Sequence, residues 1–336
     1  MLKIIATALL TSMALPASGA NVVNIYSYRQ PDLIQPLFDQ FTKDTGIEVR
    51  MIFADKGLVE RLEQEGPLSP ADLLITSDVG RLVDAASRGL AQPVDDAAIK
   101  SNIPANFRDV GNLWFGLTMR ARVVYASKDR VAQSTITYEE MADPKWKGKI
   151  CTRPGDHPYN LGLIAAMIAK RGEPETKTWL QGVKQNLAIK PSGTDRSQAK
   201  SVFAGECDIA LGNTYYMGLM ATNEKEPEQK EWANALKVIF PTSPQMPTHV
   251  NISGMLLTKS APDKDSAIKL MEFLASPEAQ KIYADGNFEY PVNPTVQPND
   301  IVKSWGQLTP DTMNLAEIAK NQAAAARLVD EVGFNN

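Results

Sequence analysis

Over the first hundred residues of the chain the apolar positions switch repeatedly between two periods. "NVVNIYS" at 21–27 is short and rich in β-formers, and it reads as a strand. From Asp32 to Thr45 the apolar residues Leu33, Leu37, Phe38 and Phe41 recur at helical spacing, and Gly46 ends the run. "IEVRMIFA" returns to a strand, "LVERLEQEG" to a helix that stops at Gly66, and "ADLLITSD" to a strand apolar enough to be buried. The helix "VGRLVDAASRGL" follows. Such alternation predicts an α/β chain with a parallel sheet covered by helices.

"LWFGLTMRARVVYASKD" predicts two strands, the second ending near Lys128, and beyond it the alternation resumes. "KGKICTRP" and "CDIALG" read as strands. Helices are predicted from Asn160 to Arg171 and over "ETKTWLQGVKQNL" and "DRSQAKSVFAGE". The polar "TNEKEPEQKEWANA" breaks the pattern before two more strands, "LKVIFPT" and "HVNISGMLLTKS". The helix "KDSAIKLMEFLAS" and those beyond Pro310 have no partner of their own and are expected to return to the first unit, while "PVNPTVQPND" reads as a loop. The expectation is therefore two α/β lobes, 21–122 with 243–336 and 123–242, joined by extended crossings. A cleft between lobes is a favoured ligand site.

Composition adds the compartment. Lys3, the apolar run Ile4–Leu15 and the small residues Ser18, Gly19 and Ala20 read as a secretory signal at 1–20, cut near Ala20, which sends the product to the periplasm. No later run is long and apolar enough for a membrane helix. The net charge of −4, with signs mixed throughout, offers no case for nucleic acid. Cys151 and Cys207 are expected to form a disulfide after export, and the chain to act as a monomer.

The candidate chemistry lies in tyrosines. In "GNTYYMG" at 212–218, Tyr215 and Tyr216 would point to opposite faces inside a strand, but at a strand end or helix start they can share a partner. Tyr159, in "RPGDHPYNLG", also stands where a helix is about to begin; Tyr26 and Tyr28 close the first strand; Arg120 and Arg122 share a strand face. A phenol of pKa about 10 yields its proton only to a strong Lewis acid such as ferric iron. Three phenolates cancel the charge of Fe(III), and an arginine beside them can hold a small anion such as carbonate in the remaining positions. A zinc site would need more than His157 and His249, which read as an exposed loop residue and a strand entry. Tyr125 reads as core. A small-anion site, or an aromatic cage for an organic cation, remains open on these residues. A hydrolase is the weaker alternative, for G-x-S-x-G, H-E-x-x-H and P-loop patterns are all missing and no enzyme is expected.

"VNIYSYRQPDLI", "RARVVYASKDRV", "GDHPYNLGL", "SGTDRSQAKSVFAGECDIALGNTYYMG" and "NISGMLLTKSA" together resemble the periplasmic ferric-binding proteins of iron ABC transporters, the FbpA and FutA type. The resemblance implies a class II periplasmic-binding fold, Fe(III) gripped by Tyr159, Tyr215 and Tyr216, a synergistic anion on Arg120 with Arg122 as the alternative holder, and delivery to an ABC permease. It implies that Asp195 supports the site. The family also draws a His or Tyr ligand from an Arg-His-Tyr stretch after the first strand. Here Arg29 is followed by Gln30 and Pro31, which leaves Tyr28 as the phenol, and Gln30 as the amide, of that stretch able to reach the metal.

Overall fold

The computed structural model describes residues 21–336, so the signal sequence expected at 1–20 lies outside the described residues. β1 (Val22–Ser27) runs parallel to both β2 (Glu48–Phe53) and β3 (Leu73–Thr76), with α1 (Pro31–Thr45) and α2 (Leu58–Glu65) between them in sequence. Pro31 opens α1, and Gly46 closes it in a left-handed conformation with its N–H on the Thr42 carbonyl. The buried stripe of α1 is Ile34, Leu37, Phe38 and Phe41, so Ile34 takes the inward position that the sequence assigns to Leu33.

After α3 (Val79–Ser87) and α4 (Ala97–Asn102) comes β4 (Phe115–Ser127), one strand of 13 residues where two are expected. Its polar positions Thr118, Arg120 and Arg122 are buried rather than turning the chain. The second half of the chain contributes β5 (Ile150–Cys151), α5 (Pro158–Arg171), α6 (Glu173–Gln185), α7 (Asp195–Phe203), β6 (Ile209–Asn213) and α8 (Thr214–Ala221). Then follow α9 (Glu228–Asn234), which lies inside the stretch read as a break, β7 (Leu236–Ile239), β8 (Val250–Leu257), α10 (Lys264–Ala275) and α11 (Pro277–Asn287). The remaining elements are β9 (Tyr290–Pro291), α12 (Asp300–Ser304), α13 (Leu315–Ala319) and α14 (Gln322–Val332).

The strand order is β2-β1-β3-β8-β4-β6-β5, with β7 and β9 also on β4. The sheet is mixed, not parallel throughout as expected: β8 enters antiparallel between β3 and β4, and β6 and β7 run antiparallel to β4. Ala121 pairs with Val250 and the next residue, Arg122, with Asn213, so β4 belongs to both halves of the sheet and crosses between them at that step. The Arg122 N–H donates to the His249 carbonyl, which puts the return crossing beside the outward one. The Cys151–Cys207 disulfide, expected from the sequence, ties β5 to the entry of β6.

α10 packs on β1 and β8, and α11 on α1 and β9. α14 departs from the expected return to the first half of the chain and packs on α5 and α6, where Arg327–Glu173 (2.6 Å) and Lys177–Glu331 (2.7 Å) join the surfaces. Its apolar side, Ala325, Leu328 and Val329, together with Phe334, is buried there. A short terminal helix gains most of its stability from such a packed face.

Candidate metal centre

Pro158 occupies the first helical position of α5, and the His157 Nδ1 accepts the Tyr159 N–H at 3.2 Å as the cap. α5 therefore begins ahead of Asn160, and Tyr159 lies in its first turn. Asn213 precedes α8, so Thr214, Tyr215 and Tyr216 form the first turn of that helix. The two glycines around the tyrosine pair have a packing reason. A Cβ on Gly212 would stand 2.2 Å from the Tyr125 ring, and one on Gly218 2.2 Å from Phe288 Cγ. Two aromatic rings thus press directly on the backbone before and within α8 and set its position.

The Tyr159 and Tyr215 hydroxyl oxygens are 3.0 Å apart, and the Tyr215 and Tyr216 rings lie 4.2 Å apart at 31°. The three phenols are brought together from the first turns of two helices, α5 and α8. Burial raises the Tyr215 pKa well above the ordinary phenol value, and the neighbouring Tyr159 and Tyr216 add to it, while Arg29 opposes them. Tyr216 is pushed up to about 12, again chiefly by burial and next by Tyr159. At neutral pH these two groups keep their protons unless a strong Lewis acid takes the oxygens.

Guanidiniums ring the phenols. Arg120 and Arg153 lie 5.7 and 5.0 Å from the Tyr159 ring centre, Arg196 5.1 Å from Tyr216 and Arg29 5.9 Å from Tyr215. Arg122 is committed: Nη1 donates to Asp195 at 3.0 Å and to Asn213 at 3.2 Å, and Nη2 to Asn160 at 2.8 Å. Asp195, with no exposed surface, also accepts the Asn213 N–H at 3.3 Å and lies 3.7 Å from Arg153. One carboxylate thus ties the start of α8 directly, and the start of α5 through Arg122 and Asn160. Arg120 differs. It donates to the Ser77 carbonyl, but its buried Nη1 has no hydrogen-bond partner and no carboxylate within ion-pair distance among the described residues. An unpaired buried cation favours an anion.

Tyr28 is not brought to the trio. Its hydroxyl oxygen accepts the N–H groups of Leu58 and Val59 at 2.8 and 2.9 Å, and so caps α2, whose first turn has no other partner for them. Gln30 is exposed at the start of α1. His157 caps α5 instead of standing free in a loop. His249 is buried beside the crossing, and burial followed by Arg120 and Arg122 lowers its pKa to about 3, so it stays neutral. Tyr125 is core, as expected. Sequence reasoning missed Arg153, and Asn160 as the partner of Arg122; the Pro-Gly turn after Arg153 is the local signal that could have returned it to Tyr159.

Residues 36–310 match the family model of the bacterial extracellular solute-binding protein. Iron uptake protein A2 of Synechocystis is 41% identical over 95% of this chain and 91% of its own. The open conformation of ferric iron-binding protein A from Mannheimia haemolytica superposes with a TM-score of 0.89 at 50% identity, covering 94% of this chain and 100% of that one. Trichodesmium FutA, solved in complex with iron and citrate ligands, gives 0.89 at 42% identity, with 94% and 100% covered. With a family match over most of its length and relatives this similar, the chain belongs to the bacterial extracellular solute-binding proteins, among relatives named for ferric iron binding and iron uptake.

Proposed function

We propose that this protein is a periplasmic carrier that captures Fe(III) on the phenolates of Tyr159, Tyr215 and Tyr216, with an anion such as carbonate on Arg120, and delivers it to an ABC permease. The observation that carries this reading is the 3.0 Å approach of the Tyr159 and Tyr215 oxygens, with Tyr216 stacked beside them at the start of the same helix. Hard, anionic oxygen suits a trivalent ion, and three such ligands neutralise it. Tyr28 is left out, since its oxygen is already occupied by two backbone N–H groups. Arg120 is preferred to Arg122 because both Nη nitrogens of Arg122 already donate, to Asp195, Asn213 and Asn160, and it has a buried carboxylate partner while Arg120 has none among the described residues.

The change of ladder between Ala121 and Arg122 supports lobe boundaries there and at His249. On this reading the phenolates come from the second lobe and Arg120 from the crossing strand. Iron and anion together then bias the lobes toward closure, the form the permease receives. The cargo is iron released by a change of charge or protonation, for reduction weakens a hard anionic site and protons compete for phenolate.

Arg120 also supports a second reading, a carrier of a small oxyanion alone. A ferric titration of the protein, followed by visible absorption, separates them. The expected result is a broad phenolate-to-iron charge-transfer band that saturates at one iron per chain and weakens in Tyr159→Phe. A colourless protein that binds the oxyanion without iron would leave only the second reading.

A further inference from the structure

Facing residues of an antiparallel ladder that form a hydrogen-bonded pair exchange both of their backbone bonds. At the crossing, Arg122 and His249 exchange only one, from the Arg122 N–H to the His249 carbonyl at 3.0 Å. A side chain replaces the return bond. The His249 N–H donates to the Tyr138 hydroxyl at 3.1 Å, and that hydroxyl donates to the Arg122 carbonyl. A phenol oxygen is thus inserted between the two strands, just past the step from Ala121 to Arg122 where β4 changes partners. Two hydrogen bonds in series reach further than one, so the ladder is opened on that side.

Tyr138 has no exposed surface, and burial raises its pKa above the ordinary phenol value, so the hydroxyl keeps its proton and remains a donor. Its backbone is fixed to the helices behind it. The Tyr138 carbonyl accepts Trp179 Nε1 of α6 at 2.7 Å. The short turn of helix that follows, Glu139–Ala142, is held by Asn186, whose Nδ2 donates to the Met141 and Asp143 carbonyls at 2.9 and 2.7 Å, and by Arg171 of α5 on Glu139. The inserted oxygen therefore moves with α5 and α6, and α5 carries Tyr159. Arg120 stands two residues back along β4, on the other side of the step. A change of angle at this rung displaces Arg120 relative to the phenols, and the hydroxyl decides how far the strands part there.

We infer that the Tyr138 hydroxyl is the wedge on which the two crossing strands pivot, setting the resting angle between the lobes and with it the position of Arg120 against Tyr159, Tyr215 and Tyr216. Tyr138 is a positioning residue, acting through the strands and not on the metal. This rests on the lobe boundaries and the ferric reading proposed above, and adds the residue that governs closure.

The test compares the parent with Tyr138→Phe, which keeps the ring and lets the His249 N–H close directly on the Arg122 carbonyl. Thr176→Val is the control, for it loses a buried hydroxyl bond within α6, away from the crossing. In small-angle X-ray scattering of the iron-free proteins, the pair-distance distribution of Tyr138→Phe is expected to depart from the parent and that of Thr176→Val to superimpose on it. Iron release to EDTA, followed by loss of the charge-transfer band, should be up to about tenfold faster in Tyr138→Phe, the effect of one net hydrogen bond on the closed form. The band at saturating iron should keep its parental intensity, because the phenolates are untouched. If Tyr138→Phe shows both the parental distribution and the parental release rate, its hydroxyl is ordinary core and the inference is wrong. If that variant does not fold, the parent carries the test. The chain has two histidines, so nitrogen-15 histidine labelling gives two backbone amide signals. The His249 amide is expected to exchange with heavy water faster in the iron-free than in the gallium-loaded protein, since a pivot opens its bond, and equal rates overturn the inference. A parent without a charge-transfer band overturns the ferric reading instead, for scattering of the iron-free proteins still decides the part of Tyr138.

Discussion

At the residue scale the proposed ferric site would be a competition between iron and protons for phenol oxygen. Burial pushes Tyr216 up to about 12 and raises Tyr215 further from neutral titration, so in the empty protein both are protonated at pH 7. Each phenolate that joins iron must release a proton, and affinity therefore rises with pH and falls in acid. The expected outcome is release of about three protons per iron, with conditional affinity falling up to about tenfold per proton for each pH unit lowered. Iron titration in weak buffer with a pH indicator measures both. Proton release near zero would mean that the phenols do not bind the metal.

At the scale of elements, α8 carries two of the three phenols on its first turn and is located by rings pressed against glycines. Phe288 is itself unusual: a non-glycine residue at φ 55°, closing α11 and leaning on Gly218. In Gly218→Ala the added methyl must displace either that ring or the helix. The expected cost is about 1–3 kcal/mol of stability, the range for overpacking a core, with a loss of iron affinity as Tyr215 and Tyr216 move. Adding Phe288→Leu should restore part of both, since the two changes share one contact. Thermal melts and iron titrations of the two singles and the double would show the coupling; strict additivity would mean that Phe288 does not position α8.

At the scale of the whole molecule, the half that carries the phenols is closed on itself by a covalent link. Cys151 and Cys207 are 56 residues apart in sequence, and the bond ties β5 to the entry of its parallel neighbour β6, the strands that precede α5 and α8 in the chain. Loop-closure entropy for that span predicts that Cys151→Ala with Cys207→Ala destabilises the iron-free protein by about 4 kcal/mol. Urea unfolding of the double variant checks this, and a change under about 1 kcal/mol would show that β-pairing alone holds the two strands. α14 braces the same half through α5 and α6, so residues from the end of the chain complete a unit begun near its middle.

Much of this molecule is legible in its local pattern. The order of strands and helices, the tyrosines at helix starts, the disulfide partners and the core role of Tyr125 follow from periodicity, cap chemistry and the residue types that phenolate chemistry requires, all short-range or compositional signals. The unlike fates of Arg120 and Arg122 are not legible, because they depend on Asp195, 73 residues from Arg122, and on Asn160 and Asn213, which only the fold brings to the latter. Nor is the capture of the Tyr28 hydroxyl by α2, a contact 30 residues away. β4 reads as two strands because its 13 residues exceed the usual length of one, and α14 reads as returning to the first lobe because an apolar stripe does not name the surface that will cover it. Residue type and period decide what each segment can become; which segment meets which is a matter of three-dimensional packing, and that is where the charges of the site are paired or left open.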